Sequence, residues 1–152
     1  MSKIRHILFV DNEYLKKIYA TKSLKFKWEL STQRYDYVYA YVKHPQSAHA
    51  FVEALSKRGI DVSNAGVFVT EYFLQSMLHA SSALSLHNVE ITVLAGDPRM
   101  EAIISPVLSE FPWSAIMLAT TESESRRRDK SAAKSVHWRP ESYLSFLFEE
   151  KE

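Results

Sequence analysis

The chain has 152 residues, 46% apolar and 24% charged, the length and balance of one soluble globular domain with a sizeable core. It contains no cysteine, which excludes disulfides, thiolate nucleophiles and zinc–cysteine sites and suits a reducing interior. The net charge of +1 conceals clustering: between residues 15 and 34, Lys16, Lys17, Lys22, Lys25, Lys27 and Arg34 oppose only Glu29, a local net of +5.

In chain order, the first predicted element is a strand over Ile4 to Val10, an apolar β-forming run that ends in the acidic turn Asp11-Asn12-Glu13 and opens a helix-like stretch. The apolar run is too short for a signal-peptide core or a bilayer span, so the expectation is a cytoplasmic protein with no membrane segment. Lys25-Phe26-Lys27-Trp28 then interleaves cations with aromatics. Single-strand nucleic-acid surfaces have that composition, and so does an edge strand.

Tyr35 to Val42 is the second predicted strand, with Tyr35, Tyr37, Tyr39 and Tyr41 on one face, where packing against helices is the expected role. Ser47 to Arg58 reads as an amphipathic helix with Gly59 as its C-cap, followed by a very short strand at Ile60-Asp61-Val62. For Ser63 to Leu86 the rows Phe68, Tyr72, Gln75, Leu78 and Val67, Leu74, Met77 predict a helix, with Ser63 or Asn64 as cap. The next strand is Val89 to Ala95, ending in a second acidic turn, Gly96-Asp97-Pro98-Arg99. Pro98 favours a helix starting there with Asp97 as N-cap and continuing past Met100 and Ile103.

Trp113 to Ala119 is the fourth long predicted strand. Residues 120 to 135 are polar and predict a loop or exposed helix, and Arg126, Arg127, Arg128, Lys130, Lys134 and Arg139 make a second basic stretch against Asp129. The run Tyr143 to Phe148 is expected to dock back on the domain. Strands alternating with helices predict an α/β fold with a mainly parallel sheet across one domain, residues 1–152.

Both acidic turns follow strands. Open α/β sheets place their sites at strand carboxyl ends, above all where strand order reverses, so Asp11 and Asp97 become candidate ligands of a shared Mg²⁺ or Mn²⁺. Glu71 is the most economical third acid, and Asn12 or Glu13 would orient substrate or water. The same acids also suit helix capping and first-turn positions. Lys16, Lys25, Lys27, Arg99, Arg126, Arg127 and Arg128 are candidate phosphate contacts. The six histidines form no local metal motif, and with three glycines there is no phosphate-binding P-loop or dinucleotide fingerprint.

Ile7-Leu8-Phe9-Val10-Asp11-Asn12-Glu13 resembles the opening strand and Asp-Asn pair of the NYN branch of the PIN-like nuclease superfamily, and Val93-Leu94-Ala95-Gly96-Asp97-Pro98-Arg99-Met100 resembles its Ser-Gly-Asp-x-Asp-Phe turn. The resemblance implies a Rossmann-like three-layer α/β/α sandwich, metal-dependent RNA cleavage, RNA as partner and a tendency to pair as a homodimer. Three positions depart from the motif. Arg99 stands where the second acid of the turn belongs, and Asn64 and Thr70 occupy places where the family's helix supplies aspartates, with Glu71 one step away. An inactive PIN-like module that binds RNA or a protein partner is therefore the alternative, with Arg99 pairing with Asp97 in place of a metal. Phe9-Val10-Asp11-Asn12-Glu13 also resembles the acidic turn of response-regulator receiver domains, but Thr70 or Glu71 and Thr120-Thr121 fall where those need an aspartate and a lysine.

Overall fold

Hydrophobic runs separated by amphipathic ones fold here into alternating strands and helices. The computed structural model describes residues 4–83, 88–95, 115–119, 135–137 and 145–150. In order they form β1 (Ile4–Asp11), α1 (Asn12–Lys22), β2 (Leu24–Phe26), α2 (Trp28–Arg34), β3 (Tyr37–Tyr41), α3 (His49–Lys57) and β4 (Asp61–Val62). There follow α4 (Val69–Ala83), β5 (Asn88–Leu94), β6 (Ala115–Ala119), β7 (Ser135–His137), a 3-10 turn at Ser145–Leu147 and β8 (Phe148–Glu150).

Six strands make one sheet in the order β4-β3-β1-β5-β6-β7, every adjacent pair parallel. Numbered by appearance within that sheet, the strands run 3-2-1-4-5-6, so strand order reverses between β1 and β5. The predicted α/β class with a parallel sheet is thus observed. Strand β1 is central and both of its faces are packed, Ile7 and Phe9 on one and Leu8 and Val10 on the other, which is why all four are apolar and fully buried rather than alternating with polar residues. Each such side chain contributes roughly 1.5–3 kcal/mol by leaving water.

Both faces of the sheet are covered at β1, β3 and β5. On one, Ile7, Phe9, Tyr39, Tyr41, Ile91 and Val93 pack under Tyr72, Phe73, Met77 and Ala80 of α4. Phe9 stacks on Tyr39 at 5.0 Å and meets Phe73 edge-on at 5.7 Å. On the other, Leu8, Val10, Val38, Ala40 and Leu94 pack under Leu15 and Ile18 of α1 and Leu55 of α3. The small β2–β8 sheet is antiparallel and adds Phe26, Leu147 and Phe148 to this second cluster.

Several local expectations are corrected. The four tyrosines do not share a buried face: Tyr39 and Tyr41 are buried, Tyr37 is 43% exposed, and Tyr35 packs with the opposite cluster. The cause is that Tyr35 precedes the strand and ends α2, so the period of two starts only at Tyr37. Ser63 is not a helix cap, because α4 begins six residues later, after a turn at Gly66 with φ +84°. The buried Ser63 hydroxyl instead accepts from Val42 N at 3.0 Å and donates to Val42 O at 3.2 Å. Phe68, read as part of a helical row, lies before α4 and is 73% exposed. By contrast Gly59 does take the left-handed conformation expected after a helix, with φ +85°. The helix expected from Pro98 and the polar stretch 120–134 lie outside the described residues. Among the described residues, no helix is long and apolar enough to cross a membrane.

Candidate functional site

The reversal between β1 and β5 puts Asp11 at the carboxyl end of the central strand, one step beyond the Val10–Leu94 pair, with Tyr41 opposite it on β3. Asp11 is also the N-cap of α1: its backbone stays extended, at φ −90° and ψ 108°, and Glu13 N donates to its Oδ1 at 2.9 Å. Such a cap is worth about 1 kcal/mol. Besides capping, Asp11 is buried, at 7% exposure, at the end of the central strand.

That burial sets its chemistry. Loss of water raises the Asp11 carboxyl from 3.8 to about 6; the Glu13 N–H bond pulls it down, the Glu13 charge pushes it up, and the Tyr14 N–H and the Lys17 charge pull it down. Tyr41 beside it is raised above 10.0 by burial and then by the charges of Asp11 and Glu13, and its hydroxyl donates to Val67 O at 3.0 Å. This tyrosine fixes the chain ahead of α4 against the site. It reads in the sequence as one more core tyrosine, and only its register opposite Asp11 would have marked it.

Asn12, the first residue of α1, is buried at 8% exposure. Glu13 has a buried Oε2 with no hydrogen bond, 3.3 Å from Lys16 Nζ: close enough for charge attraction, without the alignment of a hydrogen bond. Lys16, a candidate phosphate contact, is thus partly engaged by Glu13 across one helical turn. Lys25 is exposed on β2, and Lys27 stands at the start of α2, where its backbone N–H donates to Leu147 O at 2.7 Å.

Glu71 lies in the first turn of α4, on the carboxyl edge of the sheet that also carries Asp11. It is exposed, and Gln75 Nε2 donates to it at 3.5 Å. The groups acting on the Asp11 carboxyl are those of α1, Glu13, Tyr14 and Lys17. Asp97, Arg99, Arg126, Arg127 and Arg128 lie outside the described residues. Among the described residues, no three histidine, aspartate or glutamate side chains are arranged to hold one metal ion.

A hard cation takes oxygen ligands, and Asp11 fits in kind: it is a carboxylate at a strand end whose burial disfavours its own charge. A cation beside it would favour the ionised form. In number the described acids do not complete a cage. No family model, curated protein or solved structure matches this chain.

Proposed function

We propose that this chain is an RNA-engaging protein of the PIN-like, NYN type, a three-layer α/β/α sandwich whose crevice between β1 and β5 is the RNA-facing site. The observation that carries the reading is Asp11, a buried carboxylate raised to about 6 at the carboxyl end of the central parallel strand, where strand order reverses. A cap alone needs no such burial. Asp11, with Asp97 and Glu71 as further acids, would hold Mg²⁺ or Mn²⁺, and the bound ion would activate water and neutralise charge on a phosphodiester.

In that site Asn12 orients substrate or water, while Lys16, Lys25 and Lys27 with the basic residues Arg99, Arg126, Arg127 and Arg128 hold phosphates. Pairing as a homodimer belongs to the same proposal. A second reading, a module that binds RNA or a protein partner without cutting it, is favoured by Glu71, which is exposed and bonded to Gln75, and by Arg99 in the place of an acid.

Incubation of the purified chain with single-stranded RNA and Mn²⁺, beside Asp11→Asn and Asp97→Asn, tests the two readings. Cleavage that disappears in both variants supports the nuclease. RNA binding without cleavage and without metal binding supports the module, and cleavage unchanged in both variants removes the site from consideration.

A further inference from the structure

One cavity of about 430 Å³ opens beside α1, and its lining contains two lysines and no carboxylate. Helix α1 contributes Asn12, Leu15, Lys16 and Tyr19, positions spaced as one face of a helix. The opposite walls include Lys25 of β2, Trp28 of α2 and Phe51 of α3. The volume falls in the range of small-molecule sites, roughly 300–1,000 Å³. Asn12 directly follows Asp11, so the cavity begins at the candidate site and extends along α1 for about 10 Å to Tyr19.

The rings are already set. Trp28 meets Phe26 edge-on at 4.8 Å and Phe51 at 6.0 Å, and Phe26 in turn packs on Phe148, so the indole is held from below. Of the Lys25-Phe26-Lys27-Trp28 motif, Lys25, Phe26 and Trp28 line the cavity, with Phe26 buried as its floor, and Lys27 does not line it. Tyr19 is 41% exposed at the far end.

From this lining we infer that the cavity is a nucleotide subsite of the proposed RNA site, taking a base of a single-stranded RNA among Tyr19, Trp28 and Phe51 and its phosphates at Lys16 and Lys25. The inference rests on the RNA-engaging reading and names the part of the surface that performs it. A purely apolar ligand would use the rings and leave both lysines idle. An acidic peptide would use the lysines and leave the rings idle. A nucleotide engages both, through stacking and phosphate neutralisation. The stripe on α1 then leads the strand from Tyr19 toward Asp11.

The test is the affinity of a short fluorescent oligouridylate, and of the same strand with abasic sites, for the wild-type chain, Tyr19→Ala and Lys25→Gln, across a salt series. Both substituted residues are exposed, and unchanged far-ultraviolet circular dichroism establishes that each variant is folded. Tyr19→Ala is expected to weaken binding about tenfold, the loss of one base stack, and to narrow the gap between normal and abasic strands. Lys25→Gln is expected to lower the slope of log affinity against log salt by about 0.7, one phosphate contact on a single strand. Equal binding by all three proteins overturns the subsite and leaves the RNA-engaging reading standing. Lysine dependence with no preference for bases over abasic sites also overturns it, since the rings then play no part. Failure of the wild-type chain to bind RNA at any salt overturns the subsite and the reading together.

Discussion

Replacing Asp11 by asparagine is expected to stabilise the fold at neutral pH while abolishing any metal-dependent activity. The carboxyl is raised by burial from 3.8 to about 6. A folded-state acid that binds its proton more tightly than the unfolded chain contributes a slope of stability against pH that is negative. The penalty is absent below about pH 4, grows as pH rises through 6, and is complete above it. At about 1.4 kcal/mol per pH unit, the displacement sets a ceiling of about 3 kcal/mol at pH 7.5.

Asparagine removes the charge and keeps the cap, because its side-chain oxygen accepts from Glu13 N as aspartate does. It also places an amide donor where a carboxylate oxygen stood and forfeits attraction to the α1 dipole, about 0.3–1 kcal/mol. The net gain expected at pH 7.5 is therefore about 1–2 kcal/mol. Urea titrations followed by circular dichroism from pH 4 to pH 8 measure it, with the gap between variant and wild type opening between pH 4 and pH 7. A variant that is less stable at pH 7.5, or a gap independent of pH, would falsify the idea that burial opposes this charge. Adding Mn²⁺ supplies a second arm. An ion that binds only the folded wild type raises its midpoint by mass action and leaves the variant unmoved.

Other outcomes follow from the same contacts. Ser63→Ala removes the hydroxyl that satisfies both backbone groups of Val42 and is expected to cost about 1–3 kcal/mol, read as a shift in urea midpoint. Tyr72→Phe loses the hydroxyl whose single proton lies between two acceptors of Asp61, Oδ1 at 2.6 Å and the backbone O at 2.8 Å, and is expected to cost about 1–2 kcal/mol. In the wild type that phenol is raised above its ordinary range by burial and then by the hydrogen bond to and charge of Asp61. Phe73→Ala empties a fully buried position against Phe9 and is expected to cost about 3–5 kcal/mol; a loss below 1 kcal/mol would mean that α4 does not close this face of the sheet.

The central strand was legible because its signal is local: four consecutive apolar β-formers, Ile7 to Val10, followed by Asp11-Asn12-Glu13, announce a buried parallel strand and a helix start. The same holds for Gly59, whose left-handed backbone follows from its place after an amphipathic run. Helix α4 was misplaced at its start because Ser63 is chemically a good cap wherever it stands. Its hydroxyl is claimed instead by Val42, 21 residues away, a partner that no local pattern names.

The candidate site divides in the same way. Composition and spacing by themselves determined the α/β alternation, the acidic end of the first strand and the basic segment from Lys16 to Arg34, since side-chain period and charge are properties of neighbours along the chain. Only the tertiary structure decided that β1 pairs with β5, which sets Asp11 at a reversal of strand order, and that Asp11 is desolvated rather than simply capping. The Glu13–Lys16 attraction and the Glu71–Gln75 bond, by contrast, are contacts three and four residues apart within single helices and so belong to the local sequence. Strand order and desolvation are long-range properties: they depend on which distant segments exclude water from a group, and that is fixed when the sheet assembles.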